Sequence, residues 1–380
     1  MWEKHSSSGS YSAAELVLIR KEALSVELKS ISNASFLGLI FNKVKNRGKL
    51  MKTTCLINNY NYDSYVLEAV NSALNQTVSF DEIVVVDDGS TDCSAEILEQ
   101  SYASNPNVKL VIKENGGQLS CFQAGLKAAS GDIFFFLDAD DFYAPNYLEE
   151  ALQVYQDTSC DFLFCSHKDV KQHKGEQSEE RIHQVYNKTL DLGYSVILST
   201  WANGNHYLGN VTSTLSSKKE FLARLFPYPF MSDWRIQADL YLIFGSSMAG
   251  AKKAYCHQPL VTRRIHGKNL YAKAGYGSNL RPSSSDRKLY YNNLRRARFK
   301  HILKDKLGID PSFIQYIDIE FKTIDEPTPD TLNTYLKIVD RTNLSVLEKM
   351  RKKLSIYRHY LSRRSKYSQT KRSQYIANKP

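Results

Sequence analysis

Three carboxylates follow the apolar run Ile133–Leu137 within four residues: Asp138, Asp140 and Asp141. Acidic side chains at the end of a buried strand cost free energy unless a cation compensates their charge. A divalent metal ion that carries a phosphorylated ligand would do so, because hard cations prefer carboxylate oxygens. The alternative is that these residues are solvated side chains of a surface turn. The stretch therefore predicts either a metal site or a polar turn.

A second acidic stretch, Asp87-Asp88-Gly89-Ser90-Thr91-Asp92, follows the apolar run Ile83–Val86. Continuous apolar runs are typical of parallel strands that are covered on both faces of a sheet. If both strands are parallel, the two acidic turns lie at the carboxyl edge, where open α/β sheets bind ligands. Asp88–Asp92 also has the composition of a turn with a helix cap, for which Asp92 is the candidate.

Strands and helices alternate from Thr53 to Cys165. The predicted strands are Thr53–Ile57, Glu82–Val86, Val108–Ile112, Ile133–Leu137 and Phe162–Cys165. The predicted helices are Tyr65–Leu74, Ala95–Tyr102, Leu119–Ala129 and Tyr147–Tyr155. This order predicts an α/β fold, Rossmann-like, with a mainly parallel sheet, helices on both faces and right-handed crossovers.

The pattern is weaker outside this region. We expect a polar loop over residues 167–187, a strand at Val211–Ser216, a helix at Ile236–Met248, a short extended segment between Ala254 and Val261, and a basic helix at Asp286–Leu307. A further helix is expected at Ala13–Ser30. The predicted organisation is an N-terminal, partly helical extension over residues 1–50, a catalytic domain over 51–270 and a basic helical C-terminal region over 271–380.

The positive charge of the chain is concentrated in its last forty residues. The net charge is +10, and Arg341–Pro380 contains twelve Lys or Arg against one acidic residue, Glu348. The basic balance therefore describes this tail and not the predicted catalytic domain.

The six cysteines show no metal-type spacing, which favours reduced thiols in a reducing compartment. Because Met1–Ser12 lacks the order of a secretory signal and no apolar run reaches membrane-spanning length, we expect a cytoplasmic location.

The tail also has an amphipathic pattern. Leu347, Met350, Leu354, Tyr357 and Leu361 recur at helical spacing, and Lys or Arg residues occupy the other faces. A basic amphipathic helix suits peripheral contact with an anionic membrane at its inner face. The alternative is that the stripe packs on the catalytic domain. Nucleic-acid binding is not expected, because no known nucleic-acid-binding module accompanies the tail.

Six fragments, in order, resemble the inverting family 2 glycosyltransferases of GT-A fold. They are Ile57–Asn61, Val84–Asp92, Glu114–Gln118, Gly131-Asp132 with Leu137–Asp141, Ala238-Asp239 and Arg264–Gly267. They extend over residues 53–268. Each fragment is weak by itself, but each stands at the end of the predicted element where the family has it.

The resemblance implies transfer of a sugar from a nucleotide-diphosphate sugar, with a UDP-linked donor expected, to a hydroxyl of a growing glycan or lipid-linked saccharide. It implies Mn²⁺ or Mg²⁺ on the diphosphate, with Asp140 and His266 as metal contacts. The implied donor contacts are Asn58, Tyr60, Asp88, Gly117, Gln118, Asp138 and Arg264. For Gly116-Gly117 a plain strand–helix turn that requires glycine is an equal alternative.

The family places a general base in an acidic pair at the start of a late helix, and Asp239 occupies that position here. The preceding Glu of the commoner pattern is replaced by Ala238, so a catalytically degenerate, binding-only homologue is an alternative. Asp233 is the rival base, although it could instead cap the helix. For Asp239 the structural alternative is favourable placement in the first helical turn.

Two other enzyme classes fit the sequence less well. A sugar nucleotidyltransferase needs a Gly-rich loop with Arg and Lys after the first strand, and a dinucleotide-dependent oxidoreductase needs GxGxxG there. Asn58-Asn59-Tyr60-Asn61 provides neither. The sequence does not identify the sugar, the acceptor or the linkage.

Overall fold

The computed structural model describes residues 51–171, 179–201, 208–266, 269, 297–309 and 311–377. The predicted helix at Ala13–Ser30 and residues 286–296 of the predicted basic helix lie outside the described residues. Residues 51–380 form one compact unit. Among the helices that the structure describes, none combines the length and the apolar character needed to cross a bilayer.

The first half of the chain folds as the predicted alternation. The strands are β1 (Thr53–Asn59), β2 (Glu82–Asp87), β3 (Val108–Ile112), β4 (Ile133–Asp138) and the short β5 (Phe142–Tyr143). The helices are α1 (Val66–Leu74), α2 (Ser94–Tyr102), α3 (Gln118–Ala128) and α4 (Tyr147–Thr158). All apolar residues of β4 are buried, as expected for a central strand covered on both faces.

The second half adds strands that the sequence pattern did not predict. The elements are β6 (Phe162–Lys171), β7 (Glu179–His183), β8 (Leu190–Tyr194), α5 (Val196–Trp201), β9 (Leu215–Lys218), α6 (Lys219–Leu225), α7 (Ala238–Met248) and β10 (Lys252–Ile265). The predicted polar loop at 167–187 is wrong over residues 167–171 and 179–183, because β6 continues to Lys171 and pairs antiparallel with β7; residues 172–178 lie outside the described residues. The predicted strand at Val211–Ser216 begins as a 3-10 turn, Thr212–Thr214, and becomes β9 only at Leu215.

The sheet is mixed and has the order β3-β2-β1-β4-β9-β6-β10-β5. Strands β3, β2, β1 and β4 are parallel, and β9 lies antiparallel between β4 and β6. Strand β10 runs parallel to β6, and therefore parallel to β4 as well. The carboxyl ends of β1, β2, β4 and β10 consequently lie at one edge of the sheet.

The C-terminal segments pack on the helix that follows β8. Residues 297–307 are helical, and a 3-10 turn (Pro311–Tyr316) leads into α8 (Ile317–Lys322), α9 (Pro329–Asp340) and α10 (Val346–Ala377). A separate apolar cluster joins α5 to these helices through Ile197, Phe321, Tyr335 and Ile356. Buried Glu320 accepts hydrogen bonds from two α5 amides, Ile197 at 2.6 Å and Leu198 at 3.1 Å. The predicted domain boundary near residue 270 stays a prediction.

Candidate functional site

The loops after β1 and β2 are locked to each other by short polar side chains. The register places Asn58 opposite Asp138 and Asn59 opposite Asp87. The Asn59 amide nitrogen donates to Asp87 Oδ2 at 2.7 Å, and Asn61 Oδ1 accepts from the Thr91 amide at 2.7 Å. This network fixes the loops after β1 and β2 without using the Asp88 side chain.

Tyr60 extends from the locked loop into solvent. Its side chain is 45% exposed, whereas neighbouring Asn59 is buried. An exposed ring on a rigid loop is free to stack on a planar group such as a nucleobase. The position fits the predicted nucleotide contact.

Asp88 is buried and orders the loop between β3 and α3. Its carboxylate accepts from the Gly116 amide at 2.9 Å, the Gly117 amide at 2.7 Å and the Lys113 ammonium. Gly117 has φ +88°, and a Cβ atom there would lie 2.4 Å from the Arg235 Cα. This turn therefore requires glycine for conformational and steric reasons, as the structural alternative proposed. The predicted contact of Asp88 with a nucleobase remains a prediction.

Gln118 connects three segments that are far apart in sequence. Its side-chain nitrogen donates to Asp138 Oδ1 at 2.9 Å and to Thr212 Oγ1 at 3.1 Å. Its side-chain oxygen accepts from the Ala238 amide at 3.1 Å. Because Ala238 precedes Asp239, Gln118 fixes the start of α7 relative to the end of β4.

The three carboxylates after β4 converge. Ligand oxygens of Asp138, Asp140 and Asp141 lie within 4.8 Å of one another. Burial raises the pKa of Asp138 to about 7, and the charges of Asp140 and Asp239 contribute to the rise. Burial and the charges of Asp140 and Asp138 raise the pKa of Asp141 well above its usual range. The contribution of Asp239 shows that its carboxylate is electrostatically coupled to this cluster.

Asp141 holds the loop in place. One carboxylate oxygen accepts from Ser213 Oγ at 2.6 Å and the other from the Arg264 amide at 3.1 Å. It is 3% exposed, and Asp140 is 8% exposed. The alternative of a solvated turn is therefore wrong for Asp141, whereas Asp138 is partly exposed.

Asp140 contacts the segment that follows β10. Its Oδ2 lies 3.2 Å from His266 Nε2 and accepts from the Asn269 amide nitrogen at 2.8 Å. The His266 ring stacks on Tyr65 at a centroid distance of 4.7 Å and meets Tyr62 edge-on. Asp140 and His266, the two predicted metal contacts, are thus adjacent.

The two arginines at the end of β10 bind protein groups. Arg264 is buried, with Nε donating to the Asp140 carbonyl at 3.1 Å and Nη2 lying 2.8 Å from Glu68. The Arg263 guanidinium donates twice to Asp169, at 2.7 Å each. Arg264 therefore positions the Asp138–Asp141 loop in this structure, and its predicted donor contact remains a prediction.

The two candidate bases differ in their surroundings. Asp239 lies in the first turn of α7 and is partly exposed. Asp233 is buried in a 3-10 turn and forms an ion pair with Arg298 at 3.2 Å. Asp233 does not cap α7, because the helix begins at Ala238 with Gln237 in the cap position. Asp239 is favoured as the residue near the acidic cluster, because its charge contributes to the raised pKa of Asp138 and the preceding Ala238 amide donates to Gln118.

The donor set of the cluster fits a hard divalent cation. Asp138 and Asp140 offer carboxylate oxygens, His266 offers one imidazole nitrogen, and such ligands suit Mg²⁺ or Mn²⁺. Burial and mutual repulsion raise the pKa values of Asp138 and Asp141, and a cation among these carboxylates would offset both effects. A second cluster with metal-ligand spacing, His167, Asp169 and His183, has its carboxylate bound by Arg263.

Comparison with known proteins agrees with this geometry. The family model "Glycosyl transferase family 2" matches residues 54–215. The uncharacterized glycosyltransferase alr2836 of Nostoc sp. is 36% identical over 236 residues, which cover 62% of this chain and 71% of that protein. The chain belongs to glycosyltransferase family 2. Its mixed sheet with helices on both faces is the predicted GT-A architecture.

This family 2 glycosyltransferase is also similar to a second protein over a short segment and to a solved structure at low sequence identity. The chondroitin synthase of Pasteurella multocida is 38% identical over 96 residues, which cover 25% of this chain and 10% of the synthase. A crystal structure of S. aureus TarS 1–349 in complex with UDP-GlcNAc covers 84% of this chain and 92% of that one, at 18% identity and a TM-score of 0.47.

Several residues of the site were not predicted from the sequence. Asn269, Tyr65, Thr212 and Ser213 contact the acidic cluster or its ligands. Thr212 and Ser213 belong to a segment that was predicted as a strand, so their contact with β4 was not foreseen. Asn269 stands three residues after His266, beyond the last fragment that resembles the family. No sequence pattern therefore indicated that it would contact the site.

The contacts of Gln118 give a testable prediction for this glycosyltransferase. Gln118→Leu removes two donated hydrogen bonds and one accepted one, leaving buried polar partners without their bonds. We expect the transfer rate to fall about tenfold or more, because misplacement of positioning groups is costly in catalysis. Steady-state kinetics would measure this. Gln123→Leu, on the same helix, is the matched control, and an equal loss in both variants would contradict the connecting role of Gln118.

Proposed function

We propose that the chain transfers a sugar from a nucleotide-diphosphate sugar, UDP-linked, to an acceptor hydroxyl with inversion at the anomeric carbon. The observation that supports this most strongly is the juxtaposition at one sheet edge of five side chains from four separate segments. Direct hydrogen bonds, hydrogen bonds to a neighbouring backbone amide or electrostatic coupling connect these side chains, which are Asp88, Gln118, Asp138, Asp140 and Asp239. Family membership supports this class of reaction over a nucleotidyltransferase or an oxidoreductase.

The binding roles follow from position. Tyr60 stacks on the base, and the Asp88-ordered loop with Gly117 approaches the donor closely. Asp138 and Asp140, with His266, hold Mn²⁺ or Mg²⁺. When bound, the cation neutralises charge on the diphosphate leaving group as a Lewis acid.

Asp239 supplies the base. It accepts the proton of the acceptor hydroxyl while the hydroxyl oxygen forms a bond to the anomeric carbon and the bond to the diphosphate breaks. A single displacement of this kind inverts the anomeric configuration. We propose as acceptor a hydroxyl of a growing glycan or a lipid-linked saccharide, in polysaccharide synthesis.

Thermal stabilisation by a panel of nucleotide sugars, with and without Mn²⁺, tests this proposal. A ligand that binds only the folded chain raises the melting temperature by mass action. We expect stabilisation by at least one UDP-sugar that depends on Mn²⁺. A panel without any stabilising nucleotide sugar would contradict the proposal.

The acidic cluster predicts a pH dependence of metal binding. Asp138, with a pKa raised from 3.8 to about 7, and Asp141 hold more protons in the folded chain than in the unfolded chain. Metal-free stability should therefore fall as the pH rises through this window. Because the cation replaces those protons, we expect Mn²⁺ to raise the melting temperature more at about pH 8 than at about pH 5. Equal shifts at both pH values would contradict metal binding by these carboxylates.

A further inference from the structure

Helix α10 exposes a continuous apolar stripe. Six residues at helical spacing are each at least 43% exposed: Val346, Leu347, Met350, Leu354, Tyr357 and Leu361. Soluble proteins rarely expose a contiguous apolar patch without a binding partner. The stripe therefore needs an occupant.

Within the part of the chain that the structure describes, the stripe faces outward and a different face of α10 is anchored. Ile356 and Tyr360 are buried in the cluster shared with α5, α8 and α9. Lys352 Nζ and Ser355 Oγ each donate to Asp318 at 3.0 Å. The alternative that the predicted stripe packs on the catalytic domain is therefore wrong. The helix is held in one orientation with its apolar stripe outward.

Basic side chains border the stripe. Arg351 and Arg358 are exposed along one side of it, and Lys353 lies on the other. A shallow groove of about 730 Å³ runs beside Leu354 and is lined by Lys322, Arg351, Arg358 and His359. A groove lined by the cationic side chains Lys322, Arg351 and Arg358, next to an apolar ridge, fits a phosphate group attached to an acyl chain.

We propose that this face of α10 docks on the surface of an anionic phospholipid bilayer, with the stripe at the acyl boundary and the arginines on the headgroups. Charge complementarity selects this occupant. Pairing with a second copy of the same helix would bring two strongly basic tails together, and the sequence continues with Arg364, Lys366, Lys371 and Arg372. An anionic lipid surface instead attracts each of these residues. The proposal concerns a second surface and stands independently of the proposed transfer reaction.

Flotation of the full chain with vesicles tests the docking. We expect it to float with phosphatidylcholine vesicles that contain phosphatidylglycerol and not with phosphatidylcholine alone. The double variant Met350→Glu/Leu354→Glu should reduce the bound fraction at least about tenfold, because it puts charge into the apolar stripe. Arg351→Gln/Arg358→Gln should weaken binding and its dependence on anionic lipid.

Ile182→Glu is the matched control, since Ile182 is 61% exposed on β7, away from α10. It should float as the unsubstituted chain does, and circular dichroism should show that all variants are folded. Equal flotation of the stripe variant and the control would overturn the proposal. The proposal would also be overturned if the full chain self-associated in sedimentation, if the stripe variant abolished that self-association, and if the full chain did not bind vesicles. The occupant of the stripe would then be a second copy of the chain.

Discussion

The Asp239→Asn variant is expected to lose about a hundredfold to ten-thousandfold of its transfer rate, the usual contribution of general base catalysis. Asparagine preserves the size of the side chain and its place in the first turn of α7, but it cannot accept the acceptor's proton. Because Asp239 is not a proposed metal ligand, donor binding should change little. Pre-steady-state or steady-state transfer assays, with the donor dissociation constant measured separately, would separate the two effects.

Asp233→Asn is the matched control for this substitution. It removes the charge of buried Asp233 and so breaks its ion pair with the partly exposed Arg298 guanidinium. We expect a lower melting temperature with most of the transfer rate retained. A large rate loss in Asp233→Asn with an active Asp239→Asn would make Asp233 the base. Unchanged transfer rates in both variants would contradict the proposed mechanism. If the unsubstituted chain bound the donor but transferred no sugar, the result would favour the degenerate homologue that Ala238 suggests.

The Asp140→Asn variant is expected to lose both Mn²⁺-dependent donor binding and at least about a hundredfold of transfer, because metal stabilisation of a leaving group contributes several kcal/mol. Asparagine retains the oxygen that accepts from Asn269 but removes the charge that the cation requires. Calorimetric titration of the variant with UDP, with and without Mn²⁺, would measure the Mn²⁺ dependence of the UDP affinity.

Asp141→Asn distinguishes a metal ligand from a residue that holds the loop. Both Asp141 oxygens are engaged by Ser213 and the Arg264 amide, so its substitution should lower stability more than metal affinity. If Asp141→Asn abolished the Mn²⁺ dependence while Asp140→Asn preserved it, the assignment of the ligands would be reversed.

The sheet edge that carries the site was largely predictable, because its strands are continuous apolar runs. Ile83–Val86 and Ile133–Leu137 have no polar interruption, so each ends where its acidic turn begins, and parallel pairing brings those turns together. The coupling of Asp239 to Asp138 was implied only by the resemblance, since no local pattern relates α7 to β4.

The second half was less predictable for two physical reasons. Strand β6 becomes polar at Ser166 and loses full burial after His167, because its last part pairs with β7 beyond the core. The composition of that part is therefore typical of a loop. Helix α10 has two apolar faces, and the sequence could not show that Ile356 and Tyr360 would be buried while Leu354 and its neighbours stay exposed. Burial depends on which face meets α8 and α9, which is a tertiary property.

Anomalous scattering at the manganese edge, from crystals soaked with Mn²⁺ and UDP, tests the central claim most directly. The claim predicts a manganese peak beside the carboxylates of Asp138 and Asp140, with UDP extending over Tyr60 and Asp239 facing the same space. A peak at His167, Asp169 and His183 instead, or UDP bound away from the carboxyl edge of the sheet, would contradict it.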